Sequence, residues 1–143
     1  MARRKRNDYL DRLATVPLFS NLEDDELEVV ARLGTEVPVP EGRIIAKEGD
    51  VAHEAFLLME GTARCTRDGE ELATFEPGDF FGEMALISHR SRNATVETTS
   101  DANLRAFDEG EFRRMLHESP AVAVKILLAT AERLLDSEDS PTH

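Results

Sequence analysis

The sequence predicts a mainly β domain with helices at both ends, and two observations carry this prediction. Between residues 35 and 108, short β-like runs alternate with turn signals such as Asp68-Gly69 and Pro77-Gly78. On either side of that stretch, apolar residues recur at helical spacing. Many short strands punctuated by turns are typical of a sandwich, a jelly roll or a barrel. The chain has 143 residues, the size of one ordinary domain, and its 41% hydrophobic content is globular rather than disordered.

The N-terminal segment predicts two short helices. Residues 7–15 place apolar side chains on one helical face, and Pro17 ends this helix. A second helix begins near Ser20, which has capping-box spacing to Glu23, and Gly34 ends it. The predicted buried stripe of this second helix consists of Leu27, Val30 and Leu33.

The middle of the chain predicts strands joined by tight turns. Asp68-Gly69 is a strong two-residue hairpin signal, and Pro77-Gly78 suits a type II turn. Residues 55–59 are uniformly apolar, which predicts a short strand buried on both faces. Residues 62–66 alternate in polarity, and this places Cys65 on the core side, as a packed residue rather than a reactive thiol.

Two helices are predicted after the β region. Residues 109–118 carry Phe112 and Met115, and Pro120 fits the first turn of a further helix that runs to about Leu135. Apolar residues occupy more than one face of this last helix, whereas a surface helix is more polar. We therefore expect it to cover a ligand mouth or a second subunit.

The charge balance argues against a nucleic-acid partner. The chain has 17 basic and 29 acidic residues, a net charge of −12, and four of the basic residues cluster at positions 3–6. The remaining body carries 13 − 29 = −16, which repels phosphate backbones and anionic lipid. We interpret residues 1–6 as a basic disordered tail, residues 7–136 as one domain and residues 137–143 as a disordered tail.

Cysteine content and hydropathy predict a cytoplasmic protein without a membrane span. A single cysteine, Cys65, cannot form an intrachain disulfide, so the chain does not require an oxidising compartment. No apolar run approaches the ~18–20 residues that a transmembrane helix needs. The basic start is followed by Asn7, Asp8 and Tyr9 rather than by an apolar signal segment.

The sequence also predicts no catalysis and no metal. The four histidines, His53, His89, His117 and His143, show no metal-ligand spacing. No Ser-His-Asp or Cys-His arrangement is visible, and Gly-x-Gly-x-x-Gly loops are absent from the sequence.

One stretch does combine residues that suggest a binding site. Glu83 is the only charge between Phe80 and Ile87, and an isolated buried carboxylate is costly unless it is paired or hydrogen-bonded. Arg92 shares strand parity with Val96, so it points inward if Val96 faces the core, and an inward guanidinium needs an anion. One interpretation is a Glu83–Arg92 ion pair. The other is a ligand that offers a hydroxyl to Glu83 and an anion to Arg92, as a ribose phosphate does.

The run from Phe81 to Ile87, followed after a short gap by Arg92-Asn93-Ala94-Thr95-Val96, closely resembles the phosphate-binding cassette of cyclic nucleotide-binding domains. Upstream, residues 42–50, 56–61 and 77–79 also resemble that family. The resemblance implies an eight-stranded jelly-roll β-barrel with an N-terminal helical segment and two C-terminal helices. It implies that Glu83 takes the ribose 2′-hydroxyl and Arg92 the cyclic phosphate. The implied ligand-binding residues are Gly82, Glu83, Met84, Ala85, Leu86, Arg92, Asn93 and Ala94.

One residue departs from the family pattern and leaves the nucleotide open. The family usually has Ala, Ser or Thr after the arginine, whereas this chain has Asn93, which can both donate and accept hydrogen bonds. We favour cAMP as the ligand and keep cGMP as the alternative. A degenerate, ligand-free jelly roll acting as a protein-interaction scaffold is the second functional hypothesis.

The resemblance further implies a sensor that reports occupancy through its last helix. In the family that helix acts as a lid and, in many members, as a dimer seam, so we expect residues 120–135 to contact a protein partner or a second copy. Only 23 residues follow Pro120 (143 − 120), too few for a helix-turn-helix after the lid. We therefore expect a free-standing regulatory module.

Overall fold

The computed structural model describes residues 10, 11, 13–15, 19, 20 and 22–138. Residues 10, 11, 13 and 14 are helical, while the predicted basic tail, Pro17 and residues 139–143 lie outside the described residues. The named helices are α1 (Asp24–Arg32), α2 (Glu83–Ser88), α3 (Glu109–Glu118) and α4 (Pro120–Glu138). The strands are β1 (Thr35–Val39), β2 (Ile44–Ala46), β3 (Glu54–Glu60), β4 (Ala63–Arg67), β5 (Glu70–Phe75), β6 (Phe80–Phe81), β7 (Thr95–Thr98) and β8 (Ala102–Asp108).

The eight strands form two four-stranded antiparallel sheets. One sheet has the order β1-β8-β3-β6, and the other has the order β2-β7-β4-β5. An apolar core between them draws buried residues from both sheets, including Phe56, Phe81 and Leu104 from the first and Ala63 and Val96 from the second. The predicted mainly β jelly roll with flanking helices is confirmed, and its strands are arranged as two facing sheets.

Strand β3 is buried on both faces, as its uniformly apolar sequence predicts. Phe56 and Leu58 belong to the core between the sheets. Ala55 and Leu57, on the opposite face, belong to a second core that the helices build against this sheet. This central position makes β3 the partner of both β6 and β8.

The β4–β5 hairpin follows the predicted turn chemistry. Asp68 and Gly69 both have positive φ, at 52° and 81°, as the two-residue type I′ turn requires. Cys65 on β4 is partly buried and packs against the core between the sheets.

Helix α1 begins later than the sequence predicts. Its N-cap is Glu23, and the backbone N–H of Glu23 donates to Oε1 of Glu26 at 3.1 Å, so the capping box joins these two residues. The predicted Ser20–Glu23 box is therefore wrong, because Glu23 takes the N-cap position and the three acidic residues that follow occupy the first turn. The predicted stripe is confirmed by the burial of Leu27, Val30 and Leu33.

The C-terminal end of α1 is fixed to the sheet by a buried arginine. Arg105 on β8 donates from Nε to the Leu33 carbonyl at 2.9 Å and from Nη2 to the Ala31 carbonyl at 2.6 Å. Glu111 on α3 accepts from the backbone N–H of Gly34 at 2.9 Å. The N-terminal helix is thus joined both to β8 and to the first of the C-terminal helices.

Helix α4 buries one face and exposes another. Val122 and Ile126 lie in the helix-side core, whereas Val124, Leu127 and Leu128 are 55%, 67% and 58% exposed. The helix runs three residues beyond the predicted end, to Glu138. Across the described residues, none of the helices combines the length and apolarity needed to cross a bilayer.

Candidate functional site

The site begins at the turn between β6 and α2. Gly82 occupies this turn with φ 84° and is the N-cap of α2, so no side chain caps the first-turn N–H groups of that helix. A β-carbon placed on Gly82 would lie 2.7 Å from Nη1 of Arg92. The turn therefore requires a glycine for two reasons, its backbone conformation and the close approach of the guanidinium.

Arg92 projects its side chain towards this turn. Its Nη1 donates to the Gly82 carbonyl at 2.9 Å, and its Nη2 donates to the Glu54 carbonyl at 2.5 Å. The guanidinium carbon also lies 5.7 Å from the centre of the Phe56 ring. A guanidinium has five N–H donors, and these two bonds use one donor on each terminal nitrogen. These contacts fix the direction in which the guanidinium points.

Arg92 is a half-buried cation with two carboxylates near it. Burial lowers the pKa of the guanidinium, while the negative charges of Glu54 and Glu83 raise it. Burial acts by removing water from the cation, and an anionic partner would compensate that loss. Glu83 itself is 2% exposed, at the first position of α2. A buried carboxylate and a half-buried guanidinium thus lie within electrostatic range of each other.

The other predicted site residues differ in exposure. Met84 and Ala85 are half-buried on α2, and Leu86 is buried in the helix-side core. Asn93 is exposed and Ala94 is half-buried, in the segment that leads into β7. The structure brings the α2 turn and Arg92 together at Gly82 and places Asn93 next to them at the surface.

Two contacts of the site have no counterpart in the sequence reasoning. One is the Glu54 carbonyl, which accepts from Arg92, and the other is the Nε of Arg67, which donates to the Asn93 carbonyl at 2.9 Å. Both acceptors are backbone carbonyls, which every residue type has, so no residue pattern could have revealed them.

The arrangement can bind a small anion that also carries hydroxyl groups. Arg92 supplies guanidinium N–H donors, the α2 turn supplies backbone N–H groups, and Glu83 supplies carboxylate acceptors. Among the described residues, no group of three or more His, Cys, Asp or Glu side chains is placed to hold a metal ion.

Comparison with known proteins identifies the family. A family model described as "Cyclic nucleotide-binding domain" matches residues 36–119, more than half of the chain. The chain therefore belongs to the cyclic nucleotide-binding domain family, as its resemblance to the cassette predicted.

Individual relatives agree with this assignment. The chain is 34% identical over 116 residues to the cAMP-dependent protein kinase regulatory subunit of Schizosaccharomyces pombe, and the match covers 80% of this chain and 28% of that subunit. A solved structure of cAMP-bound PfPKA-R has a TM-score of 0.80 and 27% identity, covering 98% of this chain and 49% of the other. The catabolite activator protein of Thermus thermophilus has a TM-score of 0.78 and 28% identity, covering 85% of this chain and 60% of the other. The matches thus span 28% to 60% of the length of these three proteins.

Proposed function

We propose that this chain binds a 3′,5′-cyclic nucleotide, with cAMP favoured over cGMP, and returns it unchanged as a regulatory domain rather than an enzyme. Membership of the cyclic nucleotide-binding domain family supports the ligand class. The observation that carries the proposal is the half-buried guanidinium of Arg92, fixed by the carbonyls of Gly82 and Glu54 beside the buried carboxylate of Glu83.

In this proposal Arg92 binds the cyclic phosphate. A guanidinium fork matches phosphate oxygens, and its charge-assisted hydrogen bonds are about twice as strong as neutral ones. The two carbonyl contacts hold the fork before the ligand arrives, so less side-chain entropy is lost on binding. Burial removes part of the water around the guanidinium, and in this proposal the phosphate replaces that lost solvation.

Glu83 accepts a hydrogen bond from the ribose 2′-hydroxyl in this proposal. An ionised carboxylate is acceptor-only and therefore suits a hydroxyl donor. Its burial makes the interaction stronger than it would be in water, because the local dielectric is low. The remaining proposed ligand-binding residues line the same turn and the segment before β7: Gly82, Met84, Ala85, Leu86, Asn93 and Ala94.

Support for cAMP comes from the relatives. The Schizosaccharomyces pombe subunit belongs to a cAMP-dependent kinase, and the PfPKA-R structure contains cAMP. Asn93 is exposed beside Arg92, where its amide could contact either the phosphate or a base edge. We place cAMP first because of the relatives, and Asn93 is the reason to test cGMP in parallel.

We further propose that occupancy is relayed through α4. Leu86 from α2 lies in the same core as Phe112 and Met115 of α3 and as Val122 and Ile126 of α4. A ligand that draws the α2 turn inward would therefore tighten the packing of this core and shift the population of α4 positions. The relay is a population shift and needs no chemical step.

The exposed apolar face of α4 supports the proposal that the domain contacts a protein partner. Val124, Leu127 and Leu128 lie at i, i+3 and i+4 spacing and are all more than half exposed. In the proposal this face contacts a protein partner or a second copy of the chain. The acidic body argues against nucleic acid as the partner. The domain limits, the cytoplasmic location and the free-standing arrangement stay predictions.

The decisive experiment is titration calorimetry of the purified protein with cAMP and with cGMP, each at neutral pH. We expect micromolar or tighter binding of cAMP and weaker binding of cGMP. Tighter binding of cGMP than of cAMP would support the proposed binding site but reverse the proposed nucleotide preference. The absence of heat with both nucleotides, together with no thermal shift, would contradict the proposal and favour the ligand-free scaffold.

A further inference from the structure

Three separate segments meet around the backbone of Arg92. The segment before β7 carries Arg92 itself, the turn after β2 runs through Gly49 and Asp50, and the β4–β5 hairpin contributes its tip. The backbone N–H of Arg92 donates to the Asp50 carbonyl at 2.8 Å, and the Gly49 N–H donates to the Arg92 carbonyl at 2.9 Å. Arg92 is therefore held between two residues of a turn, three residues before β7 begins.

Glu48 ties that turn to the hairpin tip and to β7. Its Oε1 accepts from the Asp68 backbone N–H at 3.1 Å and lies 3.5 Å from Oγ1 of Thr95, whose hydroxyl oxygen accepts from the Glu48 backbone N–H at 3.1 Å. One carboxylate thus joins three segments of the chain around Arg92.

Arg67 completes the arrangement at the tip of the same hairpin, directly before Asp68. Its Nε donates to the Asn93 carbonyl at 2.9 Å, directly after Arg92 in the chain. Arg64, three residues earlier on β4, instead donates to the carboxylate of Glu97 on the adjacent strand at 3.2 Å. The two arginines share a strand and a charge, but of the two only Arg67 is hydrogen-bonded to the segment of the candidate site.

We propose that Glu48, Arg67 and Asp68 form a hairpin clamp that positions Arg92 and Asn93 for the ligand, an inference that rests on the proposed function. Arg67 acts as a positioning residue, because it holds the backbone that carries the cation. Segments outside regular strands lose conformational freedom when they bind, and a segment already held in place loses less. The clamp therefore raises affinity without touching the nucleotide.

The test compares Arg67→Met with Arg64→Met. Both substitutions remove one positive charge from β4 and keep an apolar stem, but only the first removes the bond to Asn93. For Arg67→Met we expect the affinity for cAMP, measured by calorimetry, to fall about three- to tenfold, the loss of one hydrogen bond's worth of positioning. For Arg64→Met we expect unchanged affinity.

Two further readouts separate positioning from charge and from general destabilisation. The ratio of wild-type to Arg67→Met affinity should be the same at low and high salt, since a hydrogen-bond clamp is screened far less than a through-space charge effect. In the ligand-free protein, exchange of the Arg92 and Gly49 amide protons should accelerate in Arg67→Met and not in Arg64→Met.

Each of the other outcomes overturns the clamp. These outcomes are equal affinity of Arg67→Met and wild type, equal losses in both variants, a loss that vanishes at high salt, and unchanged amide exchange at Arg92 and Gly49. If Arg67→Met does not fold, Glu48→Met takes its place, because it removes the carboxylate that accepts from the Asp68 N–H and keeps an apolar stem. This variant should also lower the affinity for cAMP and accelerate exchange of the Arg92 and Gly49 amide protons. A wild-type protein that binds no cyclic nucleotide overturns the proposed function and the clamp together, whereas any failure confined to the variants overturns the clamp alone.

Discussion

Arg92 and Gly82 constrain each other across ten residues of sequence. Nη1 of Arg92 donates to the Gly82 carbonyl at 2.9 Å, and a β-carbon on Gly82 would lie 2.7 Å from the same nitrogen. Gly82 also has φ 84°, a conformation that side-chain-bearing residues rarely adopt. The close approach of the guanidinium thus depends on the missing side chain at position 82.

Gly82→Ala should therefore weaken ligand binding by about tenfold or more, because the added methyl displaces the guanidinium from its two carbonyls and from the proposed phosphate. Gly42→Ala is a matched control, since Gly42 has φ 83° and a β-carbon there would meet nothing within 4 Å. Both variants should lose about 1–2 kcal/mol of stability from the positive φ, and only Gly82→Ala should lose affinity. Calorimetry with cAMP and urea denaturation measure the two quantities. Equal affinities for the two variants would contradict the argument.

Arg92→Ala should remove a charge-assisted phosphate contact worth roughly 2–4 kcal/mol, a weakening of cAMP binding by tens to hundreds of fold or more. Arg114→Ala serves as the control, because Arg114 pairs with Glu118 on the exposed surface of α3. Calorimetry should show a large loss for Arg92→Ala and none for the control. Unchanged affinity in a folded Arg92→Ala protein would reject Arg92 as the phosphate-binding residue.

Glu83→Gln should reduce discrimination against 2′-deoxy-cAMP. The carboxylate-to-amide change keeps the shape of the side chain but replaces a charged acceptor, whose hydrogen bond to a ribose hydroxyl is worth about 1.5–3 kcal/mol. We expect about a five- to tenfold loss for cAMP, because the amide oxygen still accepts a weaker, neutral hydrogen bond. The loss for 2′-deoxy-cAMP should be much smaller, because it has no 2′-hydroxyl to offer. Competition binding with both nucleotides checks the difference. Equal losses for the two ligands would show that Glu83 acts only through the structure of the turn.

The fold could be predicted where local signals and tertiary packing agree. Asp68-Gly69 forms the predicted hairpin because both residues tolerate positive φ. Strand β3 was predictable because its apolar run meets a separate core on each face. The cap of α1 was mispredicted because Ser20 and Glu23 satisfy the same spacing rule as Glu23 and Glu26, and spacing alone does not choose between them.

The sequence predicted the residue types of the candidate site but not the hydrogen bonds that join them. Glu83 stood out because it is the only charge in an apolar run, and Arg92 stood out because it shares strand parity with Val96. The acceptors of Arg92, the carbonyls of Gly82 and Glu54, are backbone atoms brought close by the pairing of β3 with β6. Such contacts depend on tertiary structure, and backbone carbonyls have no signature in a sequence.

Arg105 provides a prediction about stability that is independent of the ligand. This arginine is 9% exposed and donates to the Leu33 and Ala31 carbonyls at the end of α1. Arg105→Met should lower the free energy of unfolding by about 2–4 kcal/mol, since buried carbonyls lose their donors. Arg114→Met, on the exposed face of α3, should change it by about 0.5 kcal/mol or less. Urea denaturation of both variants decides the matter, and equal stabilities would contradict the structural role of Arg105.

The relay through α4 makes a prediction about hydrogen exchange. If the ligand draws the α2 turn inward, Leu86 should tighten its packing in the core that Val122 and Ile126 of α4 share. Saturating cAMP should then slow amide exchange over residues 120–135 in the wild-type protein. At a cAMP concentration that saturates the variant, Leu86→Ala should show a smaller change, because the cavity left by the shorter side chain weakens the contact between the α2 turn and α4. Val30→Ala is the control, since it opens a cavity in the same core from α1 and leaves the side chains of α2 and β3 unchanged, and it should keep the ligand-dependent change. Identical protection of residues 120–135 with and without cAMP in the wild type would contradict the relay, and an equal response in the two variants would remove Leu86 from it.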